Sequence, residues 1–425
     1  MDELTPMHLT GLTRHLYQDK TYQALVSHLQ AQTAQTWSVI RAARPFVLAT
    51  LAQEWPAPVI YLTARGKRVH NVIEQLPVWV PDDERLHRFA EPTPMFYDRL
   101  PWDSAVVRER IASLQALLFT PEDAPQPIIV ASAEALLQRT MPVRQFRKRS
   151  TVLRVGERHA VLDLIAQWVQ LGYDSATMVT EPGTFSRRGG ILDVFPVAHE
   201  RPVRIEFFGD EIDTLRTFDP TTQRTVAPIE QLALVPAREA LPDLMPAVAR
   251  HLSDWFEDAS DSLRADYDAL QGGQVFPHLE HYLPYTDANP ISLLDYAPAD
   301  ALIVIEDQDD FYATIDQLIA EAENNRENNI KTGQLPPDYP QPYVSKETLL
   351  ADLATMTTLD LSMTSASDQA PVFTPEDRFG GQLRPATTHV RARHNDGERV
   401  VVVTQQIDRL ENVWYDQDAS AVLPK

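Results

Sequence analysis

Short apolar runs, each followed by a helical pattern, constrain the fold of this chain more than any other feature. Pro127–Ala131 (PIIVA) has the β-branched composition of a buried parallel strand, and Ser132 can cap the helical pattern AEALLQR that follows it. Pro58–Thr63 (PVIYLT) and Ala301–Ile305 (ALIVI) are runs of the same kind. Because strand–turn–helix is the repeating unit of α/β proteins, the pattern predicts an α/β fold built on a parallel sheet.

Length and composition limit the function classes. A chain of 425 residues has room for two or three domains, and we place their boundaries at 1–147, 148–236 and 237–425. The absence of cysteine excludes disulfides, thiolate catalysis and cysteine-ligated metal centres. The formal net charge of −22 repels a phosphate backbone, which argues against tight nonspecific DNA binding by this chain alone. No apolar run approaches the length of a membrane span and no leader pattern is evident, so we expect a cytoplasmic protein.

An α/β sheet raises the question of a nucleotide site. A P-loop needs the pattern G-x-x-x-x-G-K-S/T, in which backbone N–H groups, a lysine and a hydroxyl hold phosphate and metal, and this pattern is absent from the sequence. The only Gly-Lys pair, Gly66-Lys67, is followed by Arg68 where the hydroxyl should be. We interpret Lys67 and Arg68 as a solvated helix start. We therefore expect this chain to bind no cofactor and to catalyse no reaction.

The remaining patterns indicate helices and strands without evident chemistry. In the predicted helix His159–Leu171, the face assigned to the core carries Leu162, Ile165 and Val169. A later helix is predicted from Phe311 to about Glu323. We interpret Asp307, Asp309 and Asp310 in the acidic turn before it as capping residues in preference to metal ligands. The polar run Ser362–Asp377 is predicted to be loosely ordered, and a strand at Arg399–Thr404 precedes a helix at Gln405–Tyr415.

Three residues have the composition of a metal site. His278, Glu280 and His281 lie close together in the sequence, but no further histidine or carboxylate follows at a recognised ligand interval. We therefore favour a surface or core role for them and predict no metal.

The stretch from Pro182 to Arg224 combines strand patterns, a glycine-rich entry and several arginines. In Pro202–Phe208 (PVRIEFF) a period of two separates apolar from polar side chains. The face assigned to the core carries Val203, Ile205 and Phe207, and the outward face carries Arg204, Glu206 and Phe208. Gly209-Asp210 can form a two-residue turn, after which Ile212–Phe218 returns antiparallel. The pattern predicts a small domain built on a hairpin.

The outward face of this hairpin is the candidate binding site. A two-residue turn places Glu206 opposite Asp213 and Phe208 opposite Glu211, so that an arginine of the same window is needed between facing carboxylates. One interpretation is an ordinary solvated face whose ion pairs contribute little to stability. Phe208 favours a protein-binding surface instead, because aromatic residues and arginines are enriched in binding hot spots.

The same window resembles a segment of known DNA-repair proteins. Three strings carry the likeness: GTFSRRGGILDVFP from Gly183, RIEFFGDE from Arg204 and LRTFD from Leu215. Together they resemble the segment shared by UvrB and the transcription-repair coupling factors (Mfd). Two later strings, FPHLEHYLP from Phe276 and SLLDY from Ser292, are more similar to the coupling factors than to UvrB.

The resemblance implies a layout and a set of site residues. It implies a degenerate helicase-type (P-loop-like) parallel-sheet domain in two parts, with an inserted small α+β domain that binds the repair protein UvrA. Carried over by motif position, the UvrA-contacting residues are Arg188, Arg204, Glu206 and Phe208. Where UvrB carries Arg-x-Arg before the glycine, this chain has Ser186-Arg187-Arg188, so the first arginine is absent.

The family also implies partners outside this chain. Its complete members continue into an RNA-polymerase-binding domain and a DNA translocase that uses ATP and Mg, and the motifs of that motor do not occur here. We therefore expect either a fragment or a stand-alone module.

Three functions remain open from the sequence. The resemblance favours a noncatalytic adaptor that recruits UvrA in transcription-coupled nucleotide excision repair. The alternative is a UvrB-like, ATP-using helicase or excinuclease component, against which the absent P-loop and the charge of −22 argue. A third interpretation is an acidic α/β scaffold with an unrelated partner.

Overall fold

The computed structural model describes residues 9–31, 34–256, 261–362, 372–374, 379–402, 404 and 406–417. Contacts between residues divide the chain into two units, Met1–Val372 and Phe373–Lys425. Within these described ranges, no helix is long and apolar enough to cross a membrane.

Six parallel strands, numbered along the chain, form the main sheet of the first unit. In spatial order they are β1 (Gln35–Thr36), β14 (Thr357–Asp360), β13 (Leu302–Ile305), β2 (Val59–Thr63), β4 (Ile128–Ser132) and β3 (Leu86–Phe89). Every residue of β2, β4 and β13 is buried, as expected for parallel strands covered on both faces. The predicted α/β class with a parallel sheet is confirmed. The helicase-type arrangement in two parts stays a prediction.

A second sheet is inserted in the chain between β4 and β13. In spatial order its strands are β11 (Thr225–Pro228), β10 (Glu211–Phe218), β9 (Val203–Phe208), β8 (Ile191–Val194), β7 (Thr184–Arg188) and β6 (Asp174–Ser175). Neighbouring strands run antiparallel except β6 and β7. A separate antiparallel pair joins β5 (Thr151–Arg154) to β12 (Gln231–Leu234). Strands from both sides of the insertion therefore meet in the main sheet.

The described residues of the first unit also form twelve α-helices. They are α1 (Thr13–Tyr17), α2 (Lys20–Gln30), α3 (Arg44–Glu54), α4 (Gly66–Gln75), α5 (Ser104–Phe119), α6 (Ala133–Leu137), α7 (Val143–Arg149), α8 (Val161–Gln170), α9 (Met245–Phe256), α10 (Asp261–Gln271), α11 (Gln308–Lys331) and α12 (Lys346–Ala354). Two predicted caps are confirmed, because Ser132 accepts a hydrogen bond from the backbone N–H of Ala135 and Asp307 accepts one from Asp310.

Helix α11 is longer than the sequence pattern predicts. It continues to Lys331 instead of ending near Glu323. The polar residues in this extension are packed against the chain, since Asn325 Nδ2 donates to the carbonyl oxygen of Phe96 at 2.7 Å and Asn329 Nδ2 donates to that of Tyr97 at 3.1 Å. These long-range hydrogen bonds hold a segment that local propensity alone predicts to fray.

Helix α8 presents a different face to the core than predicted. Leu164 and Trp168 are buried, whereas Leu162 is 65% exposed and Val169 is 51% exposed. Trp168 packs edge-on against Phe185 of β7, with 5.8 Å between the ring centroids. The largest side chain of the helix therefore sets its orientation, and two of the three residues assigned to the core face lie outside it.

The predicted solvated start of α4 is also wrong for one residue. Arg68 is only 31% exposed, and its Nε donates to Glu306 Oε2 at 3.0 Å. Glu306 directly follows β13, the neighbour of β2 in the main sheet. An ion pair between distant parts of the chain thus lies beyond the carboxyl ends of β2 and β13.

The second unit contains two described helices, α13 (Leu383–Asn395) and α14 (Ile407–Gln417). The guanidinium of Arg391 lies 4.6 Å from the ring centroid of Trp414, and its Nη2 donates to the carbonyl oxygen of that residue. The strand predicted at Arg399–Thr404 is not formed by the described residues of that run. Most of the predicted polar run Ser362–Asp377 lies outside the described residues.

The β9–β10 hairpin has the predicted turn and the predicted core face. Gly209 has a φ of +64°, a conformation that glycine adopts without strain. Val203 and Ile205 are fully buried, and Phe207 is half-buried and packs against the same core. Phe208 points away from that core and is 84% exposed.

Substitution of the two neighbouring phenylalanines tests this division of faces. Phe207→Ala is expected to lower the free energy of unfolding by about 2 kcal/mol, less than the ~3–5 kcal/mol of a fully buried phenylalanine. Phe208→Ala is expected to change it by less than about 0.5 kcal/mol, because its ring is exposed. Urea denaturation followed by circular dichroism measures both, and an equal loss in the two variants contradicts the assignment.

Candidate protein-binding surface

A buried carboxylate organises the outward face of the second sheet. Asp193 of β8 is 1% exposed and lies directly opposite Arg204 of β9. Arg204 Nε donates to Asp193 Oδ1 at 2.7 Å and its Nη2 donates to Oδ2 at 2.9 Å, which makes a bidentate ion pair. Arg188, the last residue of β7, donates from Nη2 to the same Oδ2 at 3.2 Å. Asp193 therefore holds two of the predicted site residues.

Arg204 is held on a second side by an aromatic ring. Its guanidinium lies 4.7 Å from the ring centroid of Phe218, which is fully buried. Only 19% of the Arg204 side chain is exposed. Hydrogen bonding to Asp193 raises the pKa of Arg204, so this residue stays cationic. Its position and its charge are both fixed before any partner arrives.

Arg188 is the accessible cation of the cluster. Its side chain is 54% exposed, and it makes one hydrogen bond to Asp193 where Arg204 makes two. Guanidinium groups carry five N–H donors, so most of the donors of Arg188 remain available for a partner. The cluster joins two guanidiniums to one carboxylate and is locally positive in a chain of net charge −22.

Glu206 faces a different residue than predicted. A β-bulge at Asp213 inserts an extra residue into β10, so Glu206 pairs with Thr214 while Phe208 still lies opposite Glu211 as predicted. Thr214 Oγ1 donates to Glu206 Oε2 at 3.1 Å. The bulge thus replaces the expected pair of facing carboxylates with a hydroxyl–carboxylate hydrogen bond.

Glu206 also has a cation nearby. Arg216 Nη2 lies 3.8 Å from Glu206 Oε2, and the two side chains are 39% and 33% exposed. Such half-exposed pairs contribute little to folding stability, so both groups can exchange this contact for one with a partner.

Phe208 is the most exposed large apolar side chain of the described residues. It is the last residue of β9, beside the turn of the hairpin. Its neighbour across the hairpin, Glu211, accepts hydrogen bonds from Arg158 at 3.1 and 3.2 Å. An aromatic ring therefore projects from a charged rim, an arrangement suited to insertion into an apolar pocket of another protein.

The four predicted site residues lie on one face of the second sheet. Ile191 of β8 pairs with Arg188 on one neighbouring strand and with Glu206 on the other, so Arg188 and Glu206 lie on the same face. The period of two along β9 places Arg204 and Phe208 on that face as well. Their contact with UvrA stays a prediction.

The contributing residues that were not identified from the sequence include Asp193, Thr214 and Arg216. A signal existed for Asp193, since it is a carboxylate between the apolar residues Leu192 and Val194 of one strand. Such a residue faces away from the core and is fully buried only where another group covers it.

The candidate metal ligands have protein partners instead. His278 Nε2 lies 2.9 Å from Asp266 Oδ2, and Glu280 Oε1 lies 3.0 Å from Arg238 Nε. Among the described residues, no group of three or more histidines and carboxylates is arranged to hold a metal ion.

Removal of the central carboxylate tests how the cluster is held. Asp193→Ala is expected to lower the free energy of unfolding by about 3 kcal/mol, because it leaves Arg204 largely buried without its ionic partner. Asp213→Ala, a change at the exposed bulge, is the matched control and should alter stability by less than about 0.5 kcal/mol. Chemical denaturation measures both variants, and a stability of Asp193→Ala equal to that of the control contradicts the proposed arrangement.

Comparison with known proteins finds similarity in the part of the chain that carries this surface. Residues 152–239 match the family described as the UvrB interaction domain, and this span contains the whole second sheet. The transcription-repair-coupling factor of Myxococcus xanthus is 31% identical over 304 residues, which are 68% of this chain and 25% of that protein. The corresponding proteins of Bacillus subtilis (strain 168) and Escherichia coli (strain K12) are each 29% identical, over 49% and 62% of this chain and 19% and 23% of their own length.

The chain thus spans about a quarter or less of the length of these relatives. The resemblance identified from the sequence is confirmed. Residues 152–239 of this chain match the UvrB interaction domain, and the chain is similar to part of the transcription-repair coupling factors.

Proposed function

We propose that this chain is a noncatalytic adaptor that recruits UvrA in transcription-coupled nucleotide excision repair. The observation that carries the proposal is the exposed ring of Phe208 beside the arginine cluster held by Asp193, on one face of the matched domain. The name of that domain, the names of the relatives and the geometry of the surface support the same conclusion.

The energetics of the surface favour protein binding. Burial of an exposed phenylalanine in a partner's pocket contributes about 2–3 kcal/mol. Arg204 is already restrained by its two hydrogen bonds to Asp193, so little side-chain entropy is lost when a partner contacts it. A small number of preorganised residues can therefore dominate the binding free energy.

The chemistry of the face defines what UvrA must offer. Arg188 requires an acceptor, preferably a carboxylate, because it is 54% exposed and donates only one hydrogen bond to the anion that it shares with Arg204. Phe208 requires an apolar pocket, and Glu206 requires a cation or a hydrogen-bond donor. Because the face is locally positive, an acidic site on UvrA is expected to accelerate association at low ionic strength.

The proposed role of the chain is docking, without catalysis. The sequence lacks a P-loop, and the Gly66-Lys67 pair leads into Arg68, which is paired with Glu306. In the complete protein we assign ATP hydrolysis with Mg, DNA translocation and contact with RNA polymerase to parts that lie outside this chain. The adaptor would connect those activities to UvrA.

Alanine substitution at the surface tests the proposal. Arg204→Ala and Phe208→Ala are each expected to weaken binding of UvrA by roughly 1–3 kcal/mol, which is typical of hot-spot truncation. Isothermal titration calorimetry with purified UvrA and this chain measures the change, and circular dichroism checks that each variant is folded.

The matched control for Phe208→Ala is Leu162→Ala. Leu162 is another exposed apolar residue of the same domain, but it lies on α8 and outside the outward face of the sheet. UvrA binding should be unchanged in this control. Folded Arg204→Ala and Phe208→Ala variants that bind UvrA as tightly as the parent would show that the surface has another role.

A further inference from the structure

Helix α7 lies in a strongly basic stretch of an acidic chain. Between Arg139 and Arg158 the sequence contains seven arginines and lysines and only one carboxylate, that of Glu157, whereas the whole chain has a net charge of −22. A local excess of one sign can attract a partner of the opposite sign even when the total charge of the molecule does not. The stretch is therefore a candidate interaction surface if its charges are accessible.

Four of these seven cations have partners within the protein. One of them is buried and donates to backbone carbonyl oxygens, and the other three form ion pairs with carboxylates. In chain order they are Arg139, Arg149, Arg154 and Arg158. These contacts leave three cations of the stretch to be accounted for.

The three remaining cations lie side by side on α7. Arg144, Arg147 and Lys148 are exposed, and none of them forms an ion pair with any residue that the structure describes. Their spacing of three and four residues places them on one side of the helix. The opposite side faces the core, because Phe146 is fully buried and its ring centroid lies 5.7 Å from that of Tyr296. Helix α7 therefore presents three positive charges to solvent.

The composition of this face favours duplex DNA over a protein or a single strand. Protein-binding hot spots combine cations with large apolar side chains, as the face around Phe208 does. Single-stranded nucleic acid is bound with exposed aromatic rings on which its bases stack. On α7 the only aromatic ring, that of Phe146, is directed into the core. Cations without apolar anchors are sufficient for contacts to the phosphates of a duplex, which supply most of the affinity of nonspecific DNA binding.

We propose that the exposed face of α7 contacts the phosphate backbone of double-stranded DNA through Arg144, Arg147 and Lys148. The contact reads no base sequence, because phosphates are the same at every position. The net charge of −22 opposes binding of the whole chain, so the dissociation constant is expected at the weak end of the roughly 1–100 μM of nonspecific binding. This contact goes beyond the docking of UvrA and uses a helix outside the second sheet.

Fluorescence anisotropy of the intact chain with a labelled DNA duplex of about 20 base pairs tests this contact, in a series of salt concentrations from about 50 mM. Arg147→Gln and Lys148→Gln are each expected to weaken binding about tenfold at the lowest salt concentration. Each should also make the slope of log K against log salt concentration less negative by about 0.9, as expected for one lost phosphate contact.

The matched controls are Arg14→Gln and Lys20→Gln. Both residues are exposed cations, on α1 and at the start of α2, and their substitution changes the net charge of the chain by the same amount. Duplex binding and its salt dependence should be unchanged in these controls. An equal loss in the controls would show that net charge, and not the α7 face, governs binding, and would overturn the proposal.

Three further outcomes would overturn the proposal. The first is parent protein that does not bind the duplex at about 50 mM salt. The second is unchanged duplex binding in Arg147→Gln and Lys148→Gln variants that circular dichroism shows to be folded. The third is a labelled polyglutamate peptide that binds more tightly than the duplex and loses affinity in the same two variants, which would assign the face to an acidic protein segment. UvrA is absent from these measurements, so their result does not depend on the proposed docking function.

Discussion

The ion pair between Asp193 and Arg204 is the interaction on which the binding surface depends. A carboxylate that is 1% exposed would be strongly destabilising in a sheet without a partner, and here two guanidiniums satisfy it. In return it fixes the direction of both arginines. The outward face is therefore a preorganised cluster, which distinguishes it from the solvated sheet face that the residue pattern alone also permits.

The rest of the fold supports this cluster through strand pairing. β8 lies between β7 and β9, which brings Arg188 and Arg204 to the same carboxylate from opposite sides. The core face of the same strands, with Val203 and Ile205, keeps the sheet in register because a slip by one residue would bury the charges.

Local features of the site could be predicted from the sequence, whereas features that depend on distant partners could not. The period of two correctly assigned Phe208 to the outward face, and Gly209 correctly marked the turn. The bulge at Asp213 and the arginine partners of Asp193 depend on how strands pair, and a one-strand pattern does not contain that information. Likewise, the partner of Arg68 is 238 residues away in the sequence.

Amide hydrogen exchange, measured by mass spectrometry with and without UvrA, tests the central claim most directly. The claim is that the face organised by Asp193 is where UvrA docks. Addition of UvrA is predicted to slow exchange in peptides that cover β8, β9, β10 and the turn at Gly209, and to leave α8 and the main sheet unchanged. Protection that appears only outside the second sheet, with exchange in 191–218 unaltered, would contradict the account.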